Sequence, residues 1–128
     1  MNDMSQFAKK HYLNIETFRK NGVGVKTPVW FVQDGEILYV STVTTSGKAK
    51  RIRNNGRANV APCRMDGKPT GSWVPAQVRE LTDPADQQHA SRLLDKKYGL
   101  LKKLFDTQRS HHGAKDTVLE IVLREKED

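Results

Sequence analysis

Two Asp-Gly pairs, Asp34-Gly35 and Asp66-Gly67, each stand between runs of alternating apolar residues. Asp-Gly supplies the backbone conformations of a tight hairpin turn, so the flanking runs read as antiparallel strands. Alternation places Leu13, Ile15 and Thr17 on one face of a strand near the N-terminus. Val25 to Gln33 follows, with Val25, Thr27, Val29 and Phe31 on one face and Pro28, Trp30 and Val32 on the other. Apolar residues on both faces predict burial on both sides, as in a barrel or across a dimer contact. Pro28 cannot donate to a ladder and marks an edge, a bulge or a strand end. Further strands are predicted over Glu36 to Thr42, Arg57 to Met65, Thr70 to Leu81 and Thr117 to Arg124.

Helices are predicted at three places. Ser5 to His11 reads as a short one. Asp83 as N-cap, Pro84 at the first position and Gly99 as the stop delimit a longer one, with Ala90, Leu93, Leu94 and Tyr98 on its buried side. Leu100 to Phe105 reads as a further helical turn or two. The third lies inside the stretch S-T-V-T-T-S-G-K-A-K-R-I-R-N-N-G-R, from Ser41 to Arg57. Six strands with flanking helices, in one domain spanning 1–128, give a small, mostly β barrel. Such a barrel leaves little room inside, so a ligand belongs on its outer wall or between two copies.

The Ser41–Arg57 stretch carries the clearest chemistry. Lys48, Lys50, Arg51, Arg53 and Arg57 are its cations, and it contains no acid. Ser46 is placed to cap the helix, whose free N–H groups and positive dipole end favour an anion. Lys48 in the first turn has no dipole reason to be there, and an external anion supplies one. The chain as a whole carries +7 at neutral pH with a pI near 9.7. That balance points to nucleic acid, an acidic membrane surface or a phosphorylated small molecule. The aromatics are not interleaved with the cations, which counts against a base-stacking platform.

Other chemistry is sparse. Cys63 is the only cysteine, which excludes an internal disulfide and a multi-cysteine zinc site. His111 and His112 lie in a Gly-flanked loop without a third ligand at metal spacing, and no metal is expected. No Ser-His-Asp, Cys-His or paired-carboxylate signature is present. No apolar N-terminal leader or membrane-length run occurs, so a cytoplasmic protein is expected.

The segments T-P-V-W-F (Thr27 to Phe31), I-L-Y-V-S-T (Ile37 to Thr42), S-G-K-A-K-R-I-R (Ser46 to Arg53) and V-A-P-C (Val60 to Cys63) occur in this order. Together they resemble the pyridoxamine-5′-phosphate-oxidase-like split-barrel superfamily, and within it the small flavin or deazaflavin (F420) oxidoreductases. The resemblance implies a six-stranded antiparallel split β-barrel that forms a homodimer with cofactor sites at the subunit interface. It implies that Lys26, Thr27, Pro28, Val29 and Trp30 run beside the cofactor ring. Thr42, Ser46 and Lys48, with the neighbouring Ser41, match phosphate-holding positions, and Lys50 and Arg51 follow as helpers or contacts to an acidic tail. Trp30 and Trp73 are candidate walls for the ring or the substrate. FMN oxidases of the family often carry Arg-Lys where this chain has Gly47-Lys48, which favours the differently placed phosphate of F420 over FMN. The implied activity is hydride transfer between the cofactor and a small unsaturated substrate, with a non-catalytic cofactor carrier as the alternative.

Overall fold

The computed structural model describes residues 4–99 and 115–124. Its strands are β1 (Tyr12–Phe18), β2 (Gly24–Trp30), β3 (Val32–Asp34), β4 (Ile37–Val43), β5 (Arg57–Cys63), β6 (Val74–Glu80) and β7 (Asp116–Leu123). Two helices, α1 (Gly47–Asn54) and α2 (Pro84–Tyr98), follow β4 and β6. Every pairing is antiparallel, and the sheet runs β2-β1-β5-β6-β7-β4-β3.

Strand alternation sorts the side chains onto two faces. The concave face holds Leu13, Ile15, Leu38, Val40, Val60, Val78, Leu119 and Ile121, all buried in one core with Phe31. The convex face near β3, β4 and β7 is covered by α2, whose Ala90, Leu94 and Tyr98 pack on Val32, Tyr39 and Val118. The cap and stop of α2 are as predicted. The Asp83 carboxylate accepts from the Ala85 N–H, and the Gly99 N–H closes on Asp95.

Among the described residues there are seven strands where six are predicted. The run from Val25 to Gln33 breaks at Phe31, and its two halves lie at opposite edges of the sheet. A single residue can link the two edges only because the sheet curls until they approach. Phe31 is fully buried at that crossing, edge-on to Phe7 with ring centres 5.8 Å apart. Its backbone cannot join a ladder on either side, and the Tyr98 hydroxyl substitutes for one. That hydroxyl accepts from the Phe31 N–H at 2.9 Å and donates toward the carbonyls of His11 and Phe31. Removing it in Tyr98→Phe leaves the buried Phe31 N–H unpaired, while Lys97 Nζ still donates to the Phe31 carbonyl at 2.9 Å. Unfolding in urea is expected to show a loss of about 1–2 kcal/mol.

Element boundaries also differ from expectation: β5 ends at Cys63 rather than Met65, β7 spans Asp116–Leu123 rather than Thr117 to Arg124, and three further differences bear on the architecture. The first hairpin pairs Asp34 with Ile37, so its loop is Gly35-Glu36, with Gly35 at φ 61°. The strand predicted from Thr70 starts at Val74, because Gln6 takes both backbone groups of Ser72. The N-terminal helix is a single 3-10 turn, Met4–Phe7, that seats Met4 and Phe7 in the core. The Leu100–Phe105 extension and the His111-His112 loop lie outside the described residues.

Candidate functional site

The basic turn forms where β4 ends against the barrel rim. Ser46 sits in extended conformation, and its Oγ accepts from the Ala49 N–H at 3.2 Å, which starts α1. Thr42, on the concave face of β4 and almost fully buried, donates its hydroxyl to Ser46 Oγ at 3.1 Å. Lys48 Nζ donates to Thr42 Oγ1 at 3.0 Å. An ammonium, two hydroxyls and the first N–H groups of a helix are thereby held in one place. This set suits a phosphate: it combines donors, a positive charge and the positive end of a helix.

The other cations divide by position. Arg51 reaches back along the helix, with its Nε donating to Thr17 Oγ1 at 2.6 Å. Burial, and then the Arg19 charge, pull its pKa down from the ordinary arginine value. Arg53 is neutralised in space by an acid the local sequence does not contain. It forks onto Glu80 at 2.7 and 2.8 Å and also donates to the Thr44 carbonyl. Lys50 is exposed. Arg57 lies at the other end of the helix, on an open cleft of about 280 Å³ lined by Phe18, Asn55, Asn59, Pro75 and Arg124 among others.

Arg53 and Glu80 are the brace of the turn rather than part of its open surface. Thr117 of β7 adds a hydroxyl to Glu80 at 2.6 Å. The Arg53 fork first, and Thr117 after it, hold the Glu80 carboxyl at about 2. A depressed carboxyl stabilises the fold above its unfolded pKa near 4.5, and that stability is lost as pH falls toward 2. Because Arg53 is 38% exposed, solvent screens the pair, and the acid-labile part is a small share of the fold's stability. Glu80→Gln is expected to be less stable at neutral pH and to lack that acid-dependent fall, as read from urea midpoints across this pH range.

The remaining sequence-predicted residues fall into separate places. Lys26 lies over the Trp73 ring, 5.1 Å from its centre, on the convex face of β2. Pro28 is exposed on that same face, next to the turn at Gly67. Thr27 and Val29 face inward, and Val29 packs against the main core. Trp30 stacks on Tyr98 at 4.8 Å with an 8° tilt, so it is a packing residue of the α2 cluster. It lies on the convex face with α2, whereas Lys48 reaches Thr42 on the concave face. Ser41 alternates away from Thr42 onto the face of Val118. The basic turn and the β2 wall do meet at one point: Thr17, which anchors Arg51, pairs with Val25 beside Lys26.

Thr17, Glu80 and Thr117 are the supporting residues that sequence reasoning missed. Each acts across a separation of at least 27 positions, so no local spacing could show it. Among the described residues no group of His, Cys, Asp and Glu could hold a metal ion, and no helix is long and apolar enough to cross a membrane.

Residues 4–126 match the sequence profile of the pyridoxamine 5′-phosphate oxidase family. Comparison with curated proteins finds no match. Three solved structures illustrate the shared fold. The heme storage protein HutZ from Vibrio cholerae superposes with a TM-score of 0.68 at 10% identity, covering 95% of this chain and 87% of that one. An FAD-binding protein from Mesorhizobium loti gives 0.64 at 13% identity, covering 94% and 84%. An F420 reductase gives 0.57 at 17% identity, covering 98% and 97%. At these identities the likeness is one of fold.

Proposed function

Because this chain belongs to the pyridoxamine 5′-phosphate oxidase family, we propose that it binds a phosphorylated flavin-type cofactor, F420 ahead of FMN, and reduces or oxidises a small unsaturated substrate. The observation that carries this reading is the Thr42–Ser46–Lys48 cluster at the first turn of α1. Thr42, Ser46 and Lys48 hold the phosphate, with Lys50 and Arg51 as further cations beside it. Lys26, Thr27, Pro28, Val29 and Trp73 form the wall along β2. When bound, the cofactor supplies hydride transfer, and the protein supplies position and electrostatics.

The working unit in this reading is a homodimer in the cytoplasm. β2 is an edge strand whose Val25 and Val29 are only half-buried in a single chain. A second copy completes the wall and places Trp30 and Ser41 near a cofactor bound between subunits. Sedimentation of the purified protein tests the pairing, and a monomer at working concentration would defeat it.

Absorbance titration of purified protein with F420 and with FMN tests the cofactor. Saturable binding of at least one is expected, and binding of neither would end the proposal. Mixing the reduced complex with a panel of enones and quinones then separates an enzyme from a carrier. Substrate-dependent reoxidation is expected, whereas a complex indifferent to every substrate would be a carrier.

A further inference from the structure

Gly47, the first residue of α1, is bare for a reason visible one turn later. A Cβ built there would lie 2.7 Å from Arg51 Nη1. Side chains on a helix lean back toward its N-terminus, so residue 51 covers residue 47. The Cα of Arg51 belongs to the last turn, where the helix dipole favours a cation. Its guanidinium is nevertheless folded back over the first turn, where the dipole disfavours one. Thr17 fixes it there with a 2.6 Å bond, and Arg19 adds a like charge. Among the described residues no carboxylate forms an ion pair with Arg51. A half-buried cation at a positive helix end beside another cation is electrostatically uphill. It becomes downhill when an anion arrives.

We infer that Arg51, seated in the space Gly47 leaves open and aimed by Thr17, is the second phosphate-gripping cation. It sets how strongly the site prefers a phosphorylated cofactor over its phosphate-free core. This rests on the cofactor reading above and adds to it a specificity residue, its seat and its positioning partner. The alternative role for Arg51, reaching an acidic tail of the cofactor, would leave FMN affinity untouched.

The test compares two pairs of probes, FMN with riboflavin and a tail-less F420 that keeps its phosphate with the phosphate-free deazaflavin core. Dissociation constants are measured for wild type, Arg51→Met, Gly47→Ala and Thr17→Val. Wild type is expected to prefer the phosphorylated member of at least one pair. Arg51→Met should lower affinity for that member roughly 10- to 100-fold, the range for losing a hydrogen bond to a charged group, and leave its phosphate-free partner unchanged. Gly47→Ala should reduce the same preference without lowering the unfolding midpoint, because alanine suits a helix better than glycine. Thr17→Val should weaken the preference less than Arg51→Met.

If Arg51→Met weakens both members of a pair equally, Arg51 is only structural and the inference is overturned. If wild type and Arg51→Met discriminate equally, it is overturned as well, while the cofactor reading stands. If wild type binds none of the probes, both readings fall.

Discussion

Phe31→Ala is expected to lower unfolding stability by about 3–5 kcal/mol, the cost of deleting a large aromatic side chain from a packed core. Phe31 stands at the one residue joining the two edges of the sheet, and it is fully buried. Its ring meets Phe7 edge-on, and Lys97 Nζ lies over it, 4.1 Å from the ring centre. Truncation opens a cavity beneath both contacts. The backbone bonds to Tyr98 would remain but would lose the packing that holds them in register. Phe31→Leu keeps most of the volume and should cost much less. The measurement is the urea midpoint and slope of each variant. A loss below about 1 kcal/mol for Phe31→Ala would mean that the crossing is not a packing hub.

Lys48→Ala is expected to weaken binding of the phosphorylated cofactor by about 1.5–3 kcal/mol with little change in stability. Lys48 lies on the surface of α1 and reaches Thr42, whose hydroxyl also binds Ser46. Thr42 and Ser46 keep their mutual bond without the lysine, and the helix cap to Ala49 is untouched. The loss should therefore appear in affinity and not in the unfolding midpoint. Riboflavin provides the control, since it has no phosphate for Lys48 to meet. An unchanged dissociation constant for FMN and F420 would remove Lys48 from the site.

Parts of this architecture that depend on short-range rules are legible in the residues themselves. The Ser46 cap, the Asp83-Pro84 start and the Gly99 stop are each decided within four positions, and each stands where the rules put it. The alternation of β6 likewise separates core from surface, because only one of its faces is buried, whereas β4 and β7 also bury Tyr39 and Val118 under α2. The break at Phe31 is not legible, since alternation continues through it and carries no information about sheet curvature. The late start of β6 depends on Gln6, 66 positions from Ser72. Within the basic stretch, five cations look alike in sequence. Only the fold shows that Arg53 is matched by Glu80, that Arg51 is turned back over Gly47, and that Arg57 lies at the far end of the helix.

The place of β7 in the sheet has a consequence for biosynthesis. It is the last of the seven strands to leave the ribosome, yet it is inserted between β6 and β4. Until it emerges, the nascent chain holds two ladders, β2-β1-β5-β6 and β4-β3, joined through Phe31, with β6 and β4 each left with an open flank. Pairings of such long sequence separation form slowly and leave unpaired flanks open to association meanwhile. Nascent chains stalled before residue 116 should therefore be chaperone clients, and release of β7 should end that dependence.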